Sequence, residues 1–413
     1  MAEIKANAER ALADLYELRR IGTYKTGVHR PTLSPQDMES REWLAGKLRE
    51  IGHDVTIDGI ANVMGRYPGD GPVVLAGSHI ESQNHAGWLD GALGVVYALE
   101  AARAMAEAGA PGGVDVIAFA DEEGHFSGGS FLGSESFVGD VSEELMDASQ
   151  DRSGRGSLRD LLAEAGLAGR PRLLLEKDRY SAFLEAHIEQ GRRLEDDGLR
   201  IGVVTSIVAI WQYRITVTGE QNHAGTTRMA IRRDAGKALM RLWHRIEEVF
   251  PGIAGPDSVW TVGRVTLEPG GPSIIPGAAE MLFQFRDADQ AILDGLDASL
   301  RRIVAEIDAE GPCPINIEVL GQSTPAIMAP GPQNCVLEAA RTLAPEHHLV
   351  MPSGAGHDAQ VIAPHVPSAM MFVPSIGGIS HHWTEDTSDE DLKLGAQVYV
   401  DAIARMLAQI GQR

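Results

Sequence analysis

Val73-Val74-Leu75-Ala76-Gly77-Ser78-His79-Ile80-Glu81 is an apolar run that ends on a histidine and a carboxylate. A second apolar run, Val114 to Ala120, ends on Asp121-Glu122-Glu123-Gly124. Short unbroken apolar runs of this kind predict strands buried on both faces. Between them, residues 91 to 108 form a small-residue helix, so the segment reads strand, helix, strand. An open α/β sheet places its chemistry at the carboxyl ends of its strands, which is where both polar motifs stand.

Working outward, Ile4, Ala8, Ala11, Leu12, Leu15 and Leu18 give one buried stripe of a helix over 4 to 20. Ser34-Pro35, a capping residue followed by one suited to the first turn, opens a second helix through Trp43 and Leu48. Residues 141 to 180 read as a helical excursion, and no repeat or low-complexity tract is evident. From about Val208 the texture changes to alternation at Trp211, Tyr213, Ile215 and Val217, the pattern of a half-exposed antiparallel strand. A helix from about Met229 to Phe250, strands at 258 to 267 and 278 to 286, a helix at 289 to 309 and a strand at 315 to 320 complete a βαββαβ-like block. The expected domains are therefore 1–208 with 325–413, and an inserted smaller α+β domain over 209–324. The first resumes with a helix near 334 to 344, a strand from Ala369 to Val373 and a helix from about Asp389 to Ala408.

A chain of 413 residues exceeds what one hydrophobic core organises, which agrees with two domains. With 44% apolar and 23% charged residues it is an ordinary globular composition. The net charge of −22 disfavours nucleic acid and anionic membranes as partners, and also serves solubility. Cys313 and Cys335 have neither metal-like nor redox-like spacing, so a reducing cytoplasm without disulfides is expected. Met1 to Arg20 is charged throughout, unlike a signal peptide, and no apolar run is long enough for a bilayer.

His79, His187 and His381, each at or near the end of an apolar segment, together with Asp90 and Glu123, make a donor set suited to a pair of divalent ions. Glu122 is then left over to move protons. Each motif alone has an ordinary reading: Asp90-Gly91 suits a helix N-cap, and Glu122-Glu123 suits a solvated acidic loop. Two adjacent buried carboxylates are costly unless cations or protons neutralise them, and at a strand-to-loop turn both can flank one cavity. His223 reads as a loop histidine and Arg286 as a strand-end surface charge when each is taken by itself.

The ordered series, from about residue 76 to residue 386, resembles the amidase/hydantoinase/carbamoylase family. That family contains N-carbamoyl-L-amino-acid hydrolases, β-ureidopropionases and allantoate amidohydrolases, and is related to binuclear-zinc aminoacylases and exopeptidases. The resemblance implies a mixed-sheet α/β catalytic domain of the zinc-exopeptidase type with an inserted lid and dimerisation domain. It implies two divalent ions per subunit (zinc, manganese, cobalt or nickel), one held by His79, Asp90 and His187 and the other by Asp90, Glu123 and His381. Glu122 matches the catalytic base, and Gln190, in Ala186-His187-Ile188-Glu189-Gln190-Gly191, the residue that contacts the scissile amide. His223, in Gln221-Asn222-His223-Ala224-Gly225-Thr226-Thr227, matches a histidine that reaches the substrate carbonyl, in many members from the partner of a homodimer. Arg286 matches the clamp on the substrate carboxylate, and Gly356-His357-Asp358-Ala359 a supporting string.

Three departures bear on substrate rather than metal. Glu81 stands where the family usually has Asp, His125-Phe126-Ser127 replaces Ser-Arg-Phe, and Ser273 replaces a substrate-binding asparagine. The reaction implied is hydrolysis of a linear C–N bond of a ureido acid by a water that bridges the ions. An aminoacylase or dipeptidase on the same metals is the alternative. A hinge is expected near Ser206 to Ala209 and Ser323 to Ala326.

Overall fold

The computed structural model describes residues 4–126 and 131–410; Ser127 lies outside the described residues. The chain divides into two compact units, one of residues up to Thr205 together with those from Ile327 onward, the other Ser206–Ala326.

The first unit is built on a large mixed sheet. Its strands run in the spatial order Ile201–Ile207, Ser368–Val373, Tyr180–Ile188, Val73–His79, Gly113–Phe119, Val63–Arg66 and Asp54–Ile57. The middle four are parallel, and antiparallel strands flank them. Val73–His79, Gly113–Phe119 and Ser368–Val373 are buried at every residue, which is why they read as unbroken apolar runs. The helix Ala92–Glu107 packs on the two central strands, with Ala8–Arg19 and Asp389–Ile410 against it. Val74, Val96, Leu99, Val116, Leu184 and Ile403 are among the fully buried side chains of this core. Parallel in-register pairing sets His79 beside Phe119 and His187 beside Phe372, so the polar motifs emerge from one edge of the sheet.

The second unit is a four-stranded antiparallel sheet, Val259–Glu268, Ala278–Asp287, Ala209–Thr218 and Ile315–Gln322 in spatial order. The helices Ala235–Val249 and Gln290–Glu310 cover it, and Tyr213, Phe283, Phe285, Leu242 and Leu300 fill the core. Burial alternates along Ala209–Thr218 and Ala278–Asp287, as expected of a sheet with one face packed.

Local hydrogen bonds move three predicted boundaries. The first helix begins at Ala8 because the Asn7 side chain accepts from Arg10 N. The helix expected from Met229 begins at Ala235, where Asp234 accepts from Lys237 N; Met229–Ile231 is a separate 3₁₀ turn. Apolar spacing continues through both pieces, but a side-chain cap ends the ladder where it stands. The excursion over 141 to 180 is helical only at Glu143–Ala148 and Leu158–Glu164, each opened by a capping serine, Ser142 and Ser157. Ser34 caps Pro35–Glu50 as the sequence predicts. Among the described residues no helix is long and apolar enough to cross a membrane.

Candidate metal centre

At the shared edge of the parallel strands two groups of donors gather. His79, Asp90 and His187 form one, and Asp90, Glu123 and His381 the other, with the donor atoms of each within 4.8 Å of one another. Asp90 faces both groups through different oxygens. Its Oδ1 lies 3.5 Å from His79 Nε2 and 3.0 Å from His187 Nε2, while Oδ2 lies 3.4 Å from His381 Nε2. Glu123 Oε2 is 3.6 Å from the same His381 nitrogen.

The tautomers follow from the other ring nitrogens. His79 Nδ1 lies 3.2 Å from the Glu81 carbonyl and His187 Nδ1 2.9 Å from the Ile188 carbonyl, so each Nδ1 carries the donated proton and Nε2 keeps a lone pair. Gly91 N–H donates to His187 Nε2 at 3.2 Å, consistent with an unprotonated nitrogen there. His79 Nε2 is buried without a hydrogen-bond partner. Lone pairs facing carboxylate oxygens repel unless a cation or a proton lies between them. Ligand atoms about 2.0–2.1 Å from a tetrahedral zinc sit about 3.3 Å apart, close to the separations here, so the residues fit divalent cations.

Glu81 is turned away from the His79 ring. Its carboxylate stands 3.8 Å from His79 Nδ1 and instead accepts from Arg41 at 2.7 Å and from Glu122 N at 2.7 Å. The extra methylene carries the carboxyl past the imidazole, and the backbone carbonyl orients the ring. Arg41 is fully buried and also donates to the Ala61 and Phe119 carbonyls. Asp121, at φ +59°, accepts from Thr32 Oγ1, His125 N and Phe126 N, and so closes the turn that lets Glu122 and Glu123 flank one space. Glu122 lies 3.5 Å from His79 Nε2.

Asp90 is held by groups with no metal-like spacing. Glu385, buried, accepts from Leu89 N at 3.2 Å and Asp90 N at 3.1 Å. A Cβ at Gly87 would fall 1.9 Å from that carboxyl, and one at Gly91, where φ is +65°, 2.3 Å from His79 Nε2. Both turns therefore require glycine. Gln190 Nε2 and Ser380 Oγ donate to Asp90 Oδ2 at 2.9 and 3.1 Å. Gln190 thus spends one donor on Asp90, while its Oε1 is buried without a partner. His357 stays off both groups, with Nε2 2.9 Å from Ser353 Oγ and its ring 4.5 Å from that of His187. Burial, then the neighbouring His187, push its pKa well down, so it is neutral.

When no cation is bound, the same atoms compete for protons instead. Burial would raise the Asp90 carboxyl, but His187, His381 and His79 outweigh it and hold it well below the usual range. Burial raises Glu122 well above its ordinary value, and the Asp358, Glu123 and Asp90 carboxylates add to it against His79. Burial also raises Glu123, with Asp90 adding to it. Burial would lower His79, yet Glu122, Asp90 and Glu81 lift it well above the imidazole range. The Asp90 hydrogen bond raises His381 to about 9.

His223, Ser273 and Arg286 belong to the second unit. The short strand Asn222–His223 pairs with Ile274–Ile275, and Ala224 N donates to the Ser273 carbonyl at 3.0 Å, so His223 and Ser273 share one exposed ribbon. His223 Nδ1 accepts from Gly225 N and Thr226 N at 3.0 and 3.2 Å, which leaves the proton on Nε2 as a donor. Arg286 stands far along Ala278–Asp287, paired with Ile210 and Val259; it is half-buried, and burial lowers its pKa.

The mixed sheet with an inserted α+β unit and a carboxylate-linked pair of donor groups, taken with the relatives below, points to a class, the hydrolases of non-peptide C–N bonds. Residues 73–405 match the family model Peptidase family M20/M25/M40, and the chain belongs to that family, with relatives among its amidases. It is 34% identical over 403 residues to the N-carbamoyl-L-amino-acid amidohydrolase of Paenarthrobacter aurescens, covering 95% of this chain and 97% of that one. It is 35% identical over 404 residues to the allantoate amidohydrolase of Escherichia coli (strain K12), covering 93% of each. The crystal structure of an amidase (hydantoinase/carbamoylase family) from Burkholderia phymatum superposes with a TM-score of 0.93 at 44% identity, covering 99% of this chain and 100% of that one.

Proposed function

We propose that this chain hydrolyses a linear C–N bond of an N-carbamoyl amino acid or a related small ureido acid, using two divalent ions. His79, Asp90 and His187 would hold one ion, and Asp90, Glu123 and His381 the other. The observation that carries this reading is the pair of Asp90 oxygens turned to two separate histidine sets. Zinc, manganese, cobalt and nickel all suit such mixed ligation. When bound, the ions supply a water acidic enough to attack near neutral pH and positive charge for the developing oxyanion.

Glu122 takes the proton of the attacking water and passes it to the departing nitrogen; burial raises its pKa, which favours its holding that proton between the two steps. His223 donates its Nε2 proton to the carbonyl oxygen, Gln190 positions the amide, and Arg286 clamps the substrate carboxylate in two-pronged fashion, with Ser273 beside the substrate. Hydrolysis of a ureido acid then yields the amino acid, ammonia and carbon dioxide.

The reading includes a homodimer, and the second unit offers one observation in its support. The His223 ribbon leaves the Ala278 end of its strand, whereas Arg286 lies eight residues further along. That is about 27 Å at about 3.4 Å per residue, more than a small ureido acid spans. That separation supports the reading in which His223 and Arg286 reach one substrate from different copies, with the inserted unit as lid and dimerisation domain.

Ser273, in place of an asparagine, favours the N-acyl alternative. Ammonia release from N-carbamoyl amino acids and acid release from N-acetyl amino acids, each before and after chelation, separate the two. The ureido reading expects chelator-sensitive ammonia release; faster acid release from the N-acetyl series overturns it.

A further inference from the structure

Glu123 is gripped by a residue that the mechanism has not used. Gln83 N donates to Glu123 Oε1 at 3.0 Å, and Gln83 Nε2 donates both to Oε2 at 2.7 Å and to the Glu123 backbone carbonyl at 2.9 Å. The remaining polar atom of that amide, Oε1, accepts from the Arg152 guanidinium. Arginine has no acceptor, so Arg152 fixes which way the amide faces: oxygen outward to the cation, NH₂ inward to the carboxylate. A cation on the carbonyl also polarises the amide and strengthens its donation.

Arg152 is itself well placed by its loop. Its backbone N–H donates to the His125 carbonyl at 2.9 Å. Asp151 accepts from Ser153 N at 2.8 Å and from Arg155, whose guanidinium donates on to the Thr32 carbonyl at 2.8 Å. Arg155 also lies 5.9 Å over the ring of Phe126.

We infer that Gln83 and Arg152 are positioning residues for the second cation: they lock the Glu123 carboxylate in the orientation that faces His381 and Asp90, and so set the affinity of that position alone. The inference rests on the two-ion reading. Both Glu123 oxygens already accept from Gln83, so the carboxylate cannot rotate to solvent without breaking two hydrogen bonds. The His79 and His187 rings are oriented instead by the Glu81 and Ile188 carbonyls.

The test is metal binding by the stripped full-length protein, titrated with Zn²⁺ or Mn²⁺ and read as stoichiometry and two dissociation constants. Loss of an outer hydrogen bond to a ligand typically weakens metal binding about 10- to 100-fold. Gln83→Leu is expected to weaken only the second ion by that factor. Arg152→Ala should weaken it several-fold and Arg152→Lys less, both with the first ion unchanged. Arg152 is exposed, so its variants test the relay even if Gln83→Leu folds poorly. Two ions bound with unchanged constants in both Arg152 variants overturn the relay, as does equal weakening of both ions. A wild-type protein that takes up a single ion sinks the two-ion reading instead, so the two failures are distinguishable.

Discussion

The two units place their candidate functional groups in opposite ways. In the first, every donor at the sheet edge except His381 is buried and tied down by named partners: His79 by the Glu81 carbonyl, Glu123 by Gln83, Asp90 by Glu385, Gln190 and Ser380. In the second, His223 and Ser273 ride on an exposed two-residue ribbon, and Arg286 sits half-buried at a strand end. A cluster of charges in low dielectric must be over-determined or it collapses onto protons. Groups that meet a substrate from outside need only correct hydrogen-bond polarity, as His223 has, and freedom to arrive. Damage to the metal donors of the first region should therefore strike metal and turnover together, and damage to the second should strike turnover or substrate affinity with the metals left in place.

The largest break comes from the shared carboxylate and the proton carrier. Asp90→Ala should lose both ions and essentially all turnover, read by metal analysis beside the ammonia assay; retention of either ion at wild-type affinity would dissolve the bridging role. Glu122→Gln should keep both ions and lower kcat by about a hundred- to ten-thousand-fold. Normal turnover with metals intact would remove Glu122 from the proton path.

In the second unit, His223→Ala should lower kcat by about a hundred- to a thousand-fold with metal content unchanged. Arg286→Ala should act mainly on KM. Neither variant alone is the sharper test. Co-expressed and assayed at a substrate concentration below the variant's KM, the two should show more activity than either alone, because a mixed dimer rebuilds one complete site; no gain defeats the two-copy reading.

The smallest effect is on the stability of the metal-free protein. His381 has its pKa raised from 6.5 to about 9 by Asp90. A raised folded-state pKa contributes stability that is complete below the unfolded value and is lost as pH rises through the folded one. In chelator, melting temperature should therefore decline slightly between pH 6.5 and about 9, and His381→Asn should flatten that decline. The imidazole is half-exposed, so solvent screens the pair and the slope is shallow.

Much of this is legible in the sequence. Unbroken apolar runs marked Val73–His79 and Gly113–Phe119, and alternation marked Ala209–Thr218, because burial on two faces or one leaves that imprint. Helix starts were less legible: Asn7 and Asp234 override an apolar period that runs on through them.

Side-chain type and order along the chain determined that imidazoles and carboxylates would stand at strand ends in a metal-loving set, since donor chemistry is a property of the residues themselves. Tertiary structure alone decided that Asp90 turns one oxygen to each histidine set, and that Glu81 passes over His79 to reach Arg41. It also decided that Gln83, Arg152 and Glu385 hold the cluster from segments far apart in the chain. The physical reason is that these last roles are hydrogen bonds aimed by loop backbone angles and strand register. Those are set by packing between distant segments, and they leave no periodic mark on the residues that carry them.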